Sequence, residues 1–569
     1  MTCYIPRGEH PFPQLVREDW LCLNGRWDFE FDFECKGRES KLFLPDASFD
    51  KSIIVPFCPE SELSGIGYTD FIKCVWYRKR VTVPESFEGK RVWLRFEACD
   101  YRTEVFVFGK SVGTHVGGYT PFEFDITDFI VDGEAVITVC AEDDVCSPVQ
   151  ASGKQCEKRD SYGCMYTRTT GIWQTVWLEA RPPVYISDIH TVTALDGTVD
   201  VTLTVISGDG LPVTATAHLE GSEICRGSGS VCGGRAHIRL KIADPVLWDI
   251  GSPHLYGLTL IAGDDRVESY FGIREVAYGD HRFYINGKSV FQRLVLDQGF
   301  YPDGIYTARS DAELENDIKR SQAFGFNGAR LHQKVFEPRF LYHCDRLGYI
   351  VWDEYPNWGL DSSSYGAYAV LPEWESVVLR DRSHPSVIGW CPFNECQANT
   401  LPELLKGLYA ATKRLDRTRP VIESSGWLHI EGCCDMPDWH DYEQNPDVIK
   451  ANYESLKIGR AIKKAEGFPF DPPGSELCFV SEFGGTRLVY ENDEGWGYGS
   501  LADTEEFVQR VIALCRNFME NEKLCAFCYT QLTDVEQEQN GLYTYHRVPK
   551  FNPDRLKAVL DLPARCEQE

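Results

Sequence analysis

Two glutamates offer the clearest chemistry in this sequence: Glu395, in SVIGWCPFNEC, and Glu482, in LCFVSEFGG. Each closes a short, mostly apolar run that reads as a buried strand bounded by turn residues. A carboxylate at the end of a buried strand is costly unless it has a partner or a task. Two of them, in a region where strands alternate with helices, can meet at the mouth of a barrel. Paired carboxylates are what cleavage of a glycosidic bond requires.

Other polar residues end the neighbouring strands. Asp297 ends the first expected barrel strand, Arg330 and His332 the second, and Asp353 and Glu354 the third. Asn394 and Glu395 end the fourth, His440 and Tyr442 the sixth and Glu482 the seventh, while Gln531 and Asp534 lie at or past the eighth. Asp297, Asp353, Glu354 and Asp534 are equally well read as helix caps or ion pairs of the barrel rim. Strands four and seven face each other across a barrel, so their glutamates can approach to about 5 Å, the separation of a retaining glycosidase. One would attack the anomeric carbon; the other would protonate the leaving oxygen and then activate water. Arg330 near Glu482 would keep that carboxylate ionised, while an apolar setting and a negative neighbour would hold Glu395 protonated.

The elements that must position these groups fall into three parts. Residues 1–183 are short alternating segments such as CVWYRKRVTVP and TEVFVFGKSVG, the pattern of a jelly-roll β-sandwich. Residues 184–273 hold about seven more short strands, as in an immunoglobulin-like β-sandwich. From residue 274 to 569 strands alternate with helices. Eight are expected, at 291–297, 327–332, 349–354, 387–395, 420–424, 438–442, 477–483 and 524–531, the sixth being the weakest. That is the count of a (β/α)8 TIM barrel.

Composition narrows the function classes. The chain has 569 residues, 43% hydrophobic and 25% charged, as in ordinary globular proteins. Aromatics reach 13%, with 14 Trp and 27 Tyr. Aromatic-rich β cores account for most of them, and sugar-stacking platforms for a few; Trp358 and Trp496 are the candidates. A net charge of −28 leaves no basic surface for nucleic acid. No apolar run is long enough to span a bilayer, and MTCYIPRGEHPFPQ lacks the basic and apolar regions of a signal peptide. The 22 cysteines form no framework and no paired CxxC at zinc spacing. Reduced thiols in a cytoplasmic protein, without a cysteine-bound metal, are expected.

The chain resembles glycoside hydrolase family 2, the β-galactosidase and β-glucuronidase family, over essentially its whole length. The resemblance rests on VGTHVGGYTPFEFDIT and TRTTGIWQTVWLE in the first part, LWDIGSPHLYGLTL in the second and FYINGKSVFQR leading into the barrel. NGARLHQK, RSHPSVIGWCPFNE and VSEFGG carry it within the barrel. It implies Glu395 as acid/base, Asn394 as the group on the sugar 2-hydroxyl, Glu482 as nucleophile, and Arg330 and Tyr442 beside that nucleophile. It also implies a glycoside substrate, no cofactor beyond the Mg²⁺ some relatives bind near the acid/base, and in many members a homo-oligomer.

Three departures bear on the sugar. EQEQNGLYTYHR lacks the Asn-x-Lys that holds the carboxylate in the family's glucuronidases. Met165 stands where relatives project an aspartate from the first domain, and Thr530 where they carry a tryptophan. The loop Glu60–Gly67 is a candidate to reach the pocket instead, and Gly495–Gly499 to wall it. The expectation is a retaining exo-β-D-galactosidase with Glu395 and Glu482 catalytic. Asn394, Arg330, His332, Tyr442, His440, Trp358, Trp496 and Asp534 would be its substrate-binding residues. An α-L-arabinofuranosidase is the alternative within the family, and a non-catalytic carbohydrate-binding protein the alternative from another class.

Overall fold

The computed structural model describes residues 5–466, 468–489 and 494–568. Its first part is a sandwich of two antiparallel sheets. Six strands run in the order Lys51–Val55, Gly25–Phe31, Cys74–Thr82, Glu134–Glu142, Arg102–Val107, Lys110–Val116. Four face them: Trp20–Cys22, Val176–Arg181, Arg91–Phe96 and Phe122–Asp125. The inward residues, among them Trp27, Phe29, Leu94, Phe96, Ile137 and Leu178, form one core. The second part packs three strands against four, seven in all. Thr198–Ile206 alternates buried valines and leucine with half-exposed polar residues, the signature of a sheet wet on one face. Arg17 joins the two sandwiches, 2.8 Å from both Glu179 and Asp265.

Asn286 and Gly287 (φ 54° and 75°) turn a hairpin between Arg282–Ile285 and Lys288–Ser289. A curled parallel sheet follows, in the order Val387–Cys391, Ile350–Glu354, Gly328–Leu331, Gln292–Asp297, Ala526–Thr530, Phe479–Gly484, Asp438–Asp441. Its strands are buried on both faces, as a helix-covered parallel sheet requires. The amphipathic helices Asp311–Ala323, Pro338–Leu347 and Thr504–Met519 cover it.

The weak sixth strand forms, while the fifth does not appear as a regular strand. Residues 420–425 meet the fourth strand only at two isolated parallel bridges, Trp390–Val421 and Asn394–Ser425. Pro392 lies between them, and its missing N–H breaks the ladder, which also ends the fourth strand at Cys391 instead of Glu395. Side chains complete the gap: Oδ2 of Asp438 accepts from the Ser425 hydroxyl (2.6 Å) and the Gly426 amide (3.1 Å). Among the described residues no helix is long and apolar enough to cross a membrane, and all 21 described cysteines are free.

Candidate active site

Arg330, on the second barrel strand, is the hub. Its Nη2 donates to Oε1 of Glu482 (2.6 Å) and to Oδ1 of Asn394 (2.8 Å). Its Nη1 donates to Ser425 Oγ and to the Ser481 carbonyl, each at 2.9 Å. Its Nε lies 2.9 Å from Glu354. A buried guanidinium needs this many acceptors, and its planar fork fixes the directions from which they come.

Glu482 is buried on the strand Phe479–Gly484. Burial alone would raise its pKa. His440, Arg330 and the Tyr442 hydroxyl outweigh that and hold it down at about 2, so the group is ionised at neutral pH. Tyr442 donates to Oε2 of Glu482. Its ring stacks on Tyr498, and its hydroxyl also lies 3.2 Å from Thr530.

Glu395 sits in the turn after Pro392 with φ 49°, a left-handed backbone that is costly for a side chain with a Cβ. The Glu395 amide donates to the Ser425 carbonyl at 2.8 Å, which holds the turn. Its carboxyl lies 2.8 Å from Nδ1 of His440. Burial raises its pKa, and Glu482 raises it further against the opposing pull of His440 and Lys154. One carboxyl oxygen of each glutamate and one ring nitrogen of His440 lie within 4.8 Å of one another. Two carboxyls this close, pushed apart in pKa by their settings, form the pair that double displacement at an anomeric carbon needs.

The remaining expected residues divide. Asn394 is wholly buried; its amide N–H donates to Asn357 at 2.8 Å, and its side-chain Nδ2 has no partner among the described residues. His332 lies 3.0 Å from Glu354, and burial together with Lys154 keeps it uncharged. Trp358 stands edge-on to His332 at 6.3 Å, on the wall of the site. Trp496 lies 5.4 Å from Tyr498 and donates to the Gly163 carbonyl, docking the Gly495–Gly499 loop on the first domain. Asp534 pairs with Lys550 at 2.7 Å and accepts from the Gly541 amide, the rim ion pair that was its alternative reading. Asp297 accepts from Gly299 on its own turn. The Glu60–Gly67 loop docks on the barrel through Ser61 and Leu63, both bonded to the Asp303 carbonyl.

Sequence reasoning missed Lys154, whose charge acts on both glutamates, and Glu538 and Tyr166 next to it, none of which has a motif of its own, whereas Tyr498 lies in the Gly495–Gly499 loop it had named. It also missed Gly426 (φ 108°), where a Cβ would lie 2.7 Å from the His440 ring. The glutamates and His440 do not suit Mg²⁺, which needs about six oxygen ligands in octahedral array. A guanidinium already occupies Glu482.

Comparison with known proteins agrees with this architecture. "Glycosyl hydrolases family 2, sugar binding domain" matches residues 68–182, "Glycosyl hydrolases family 2" matches 184–274, and "Glycosyl hydrolases family 2, TIM barrel domain" matches 276–457. The chain is 29% identical over 432 residues to a β-galactosidase of Thermoanaerobacter pseudethanolicus. That match covers 71% of this chain and 54% of the relative, so the chain spans about half the relative's length. It is 27% identical over 550 residues to the β-glucuronidase of Felis catus, covering 81% and 80%. The solved β-glucuronidase of Ruminococcus gnavus superimposes with a TM-score of 0.79 at 19% identity, over 98% of this chain and 100% of that one, a likeness of fold. With three family matches following one another along its length, the chain belongs to glycoside hydrolase family 2.

Proposed function

We propose that the protein is a retaining exo-acting glycosidase that releases one terminal sugar by double displacement. The observation that carries this is the approach of Glu395 and Glu482 to within 4.8 Å through opposing environments. Glu482, ionised beside Arg330, attacks the anomeric carbon and forms the glycosyl-enzyme. Glu395, held protonated, gives its proton to the leaving oxygen and then takes one from the attacking water. The unpartnered Nδ2 of Asn394 supplies a donor for a hydroxyl next to the anomeric carbon. An inverting enzyme would need the carboxyls about 6.5–9.5 Å apart to admit a water between them.

β-D-Galactose is the glycone we take first, on the resemblance and on the β-galactosidases among the relatives. The β-glucuronidases among them make a uronide the main rival. Hydrolysis of p-nitrophenyl β-galactoside, β-glucuronide, β-glucoside, α-L-arabinofuranoside and α-L-arabinopyranoside tests the reading, with Glu482→Ala alongside. One substrate is expected to turn over with retained configuration by NMR, and the variant to be inactive. Inversion, or turnover that survives in Glu482→Ala, refutes the mechanism.

A further inference from the structure

We propose that Lys154, carried in from the first domain, is a glycone-binding residue that donates to a ring hydroxyl of a neutral terminal sugar, and that Glu538 beside it excludes uronic acids. The inference rests on the glycosidase reading above and extends it to the class of sugar.

Lys154 is 5% exposed as a residue; its ammonium makes no hydrogen bond or ion pair among the described residues and is not sealed from solvent. It lies over two rings instead, 5.2 Å from the centre of Trp358 and 5.9 Å from that of Tyr166. An ammonium carries three donors, and with no protein acceptor on them they are open to a ligand that enters beside these rings. Trp358 leads from Lys154 to the reacting pair: it stands 6.3 Å from His332, whose Nδ1 is 3.9 Å from Glu482. The free donors therefore lie beside the pocket in which the sugar would sit.

The backbone holds Lys154 in place. The Ser152 amide donates to the Trp358 carbonyl (2.9 Å), and the Gly153 amide is shared between the Pro356 and Trp358 carbonyls (3.1 Å each). Gly153 has φ 58°, and a Cβ there would sit 2.4 Å from the Gln333 carbonyl oxygen. Only glycine allows this approach of the first domain to the barrel. A loop tied so tightly to a catalytic wall presents a group; it does not merely store one.

Charge selects the class of sugar. Glu538 is buried behind Tyr166, which donates to its Oε2, while Asn540 donates to its Oε1 at 3.0 Å. Burial would discharge Lys154, but the carboxylates near it, Glu538 first and then Glu482, keep it charged. The Lys154 cation is thus already balanced by fixed carboxylates and serves a hydroxyl better than a further anion. A uronate would add a negative charge near Glu538 and Glu482, and like charges at close range are strongly disfavoured.

The test uses the full chain and two readouts. Calorimetry with D-galactose, its 4-deoxy and 6-deoxy forms and D-galacturonate reports affinity without turnover. kcat/KM on the matching p-nitrophenyl glycosides reports the reaction. Lys154→Met is expected to lose on the order of 10–100-fold on galactose, and most of that loss is expected to vanish for one deoxy sugar. Lys154→Gln, which keeps a donor, is expected to fall between and serves as the variant if Lys154→Met does not fold. The uronate should be disfavoured by at least about 100-fold, and Glu538→Gln should narrow that gap. An equal loss on every sugar would make Lys154 structural, and a wild-type preference for the uronate would give it to a carboxylate; either overturns the inference. If no glycoside turns over, the glycosidase reading falls while the binding series still decides on Lys154.

Discussion

Nη2 of Arg330 lies 2.6 Å from Oε1 of Glu482, with both side chains almost wholly buried. The contact joins the end of the second barrel strand to the seventh expected one, across strands that are not neighbours in the sheet. Because Arg330 also holds Asn394 and approaches Glu354, one guanidinium sets the positions of three strand ends. The ionised state of Glu482 is therefore a property of the barrel's closure and not of its own strand alone.

Tyr442 is the neighbour of Glu482 that can be altered with least disturbance. Its hydroxyl donates to the ionised carboxylate, so Tyr442→Phe removes a bond that favours the charged form. The pKa of Glu482 should rise from about 2, and activity, which needs Glu482 ionised, should be lost at a higher pH on acidification. The acid limb of kcat/KM against pH is expected to move upward, with kcat falling on the order of 10–100-fold. An unmoved limb would remove Tyr442 from the nucleophile's electrostatics.

Glu395 governs the opposite limb. Burial and Glu482 raise its pKa, so the protonated acid persists above the ordinary carboxylate range and is lost as pH rises through the shifted value. Activity should fall there, and Glu395→Gln should abolish that pH-dependent fall. With a p-nitrophenyl leaving group the first step needs little acid, while the second still needs the base. Glu395→Gln is therefore expected to give a burst of about one p-nitrophenol per chain followed by slow turnover. Stopped-flow absorbance checks this, and a steady trace without a burst speaks against the assignment.

Much of this was legible in the residues because barrels place function at strand ends, and Glu395, Asn394, Arg330 and Glu482 are polar groups closing apolar runs. The fifth strand was misread because 420–424 has a strand's composition, while Pro392 on its neighbour removes the donor that a ladder requires. Asp534 looked like a strand-end acid, but its partner Lys550 is fixed only by the tertiary fold. Lys154 could not be found at all: a lone lysine in a loop carries no period and no spacing. Its meaning comes from a mostly buried side chain whose ammonium has no acceptor among the described residues, and from Gly153, whose closeness to Gln333 is a property of two domains together.

That closeness makes Gly153 a sensitive position. Gly153→Ala sets a Cβ against the Gln333 carbonyl in a left-handed backbone, so the loop must retreat from the barrel. Lys154 would retreat with it. kcat/KM is expected to fall about 10-fold or more, with a modest cost in stability of about 1 kcal/mol. Paired kinetics and thermal unfolding separate the two; unchanged kinetics would mean that the loop does not position the lysine.

The interface of the first domain with the barrel also holds a charge that pH can switch. Glu97 is 2% exposed, neither of its carboxyl oxygens has a hydrogen-bond partner among the described residues, and the nearest cation, Arg380, is 4.0 Å away. Burial, only partly offset by Arg380 and Arg95, raises its pKa from 4.5 to about 7. The folded state therefore holds a proton that the unfolded chain releases above pH 4.5. Stability is lost as pH rises from about 4.5 to 7, and above 7 the folded protein carries the full cost of a buried, weakly paired carboxylate, as much as about 3 kcal/mol. Glu97→Gln keeps the shape and removes the ionisation. Its stability relative to the wild type should be near equal at pH 4.5 and higher at pH 8. Denaturant unfolding of both proteins at the two pH values measures the difference, and a gap that does not widen with pH would show Arg380 to be a better partner than 4.0 Å implies.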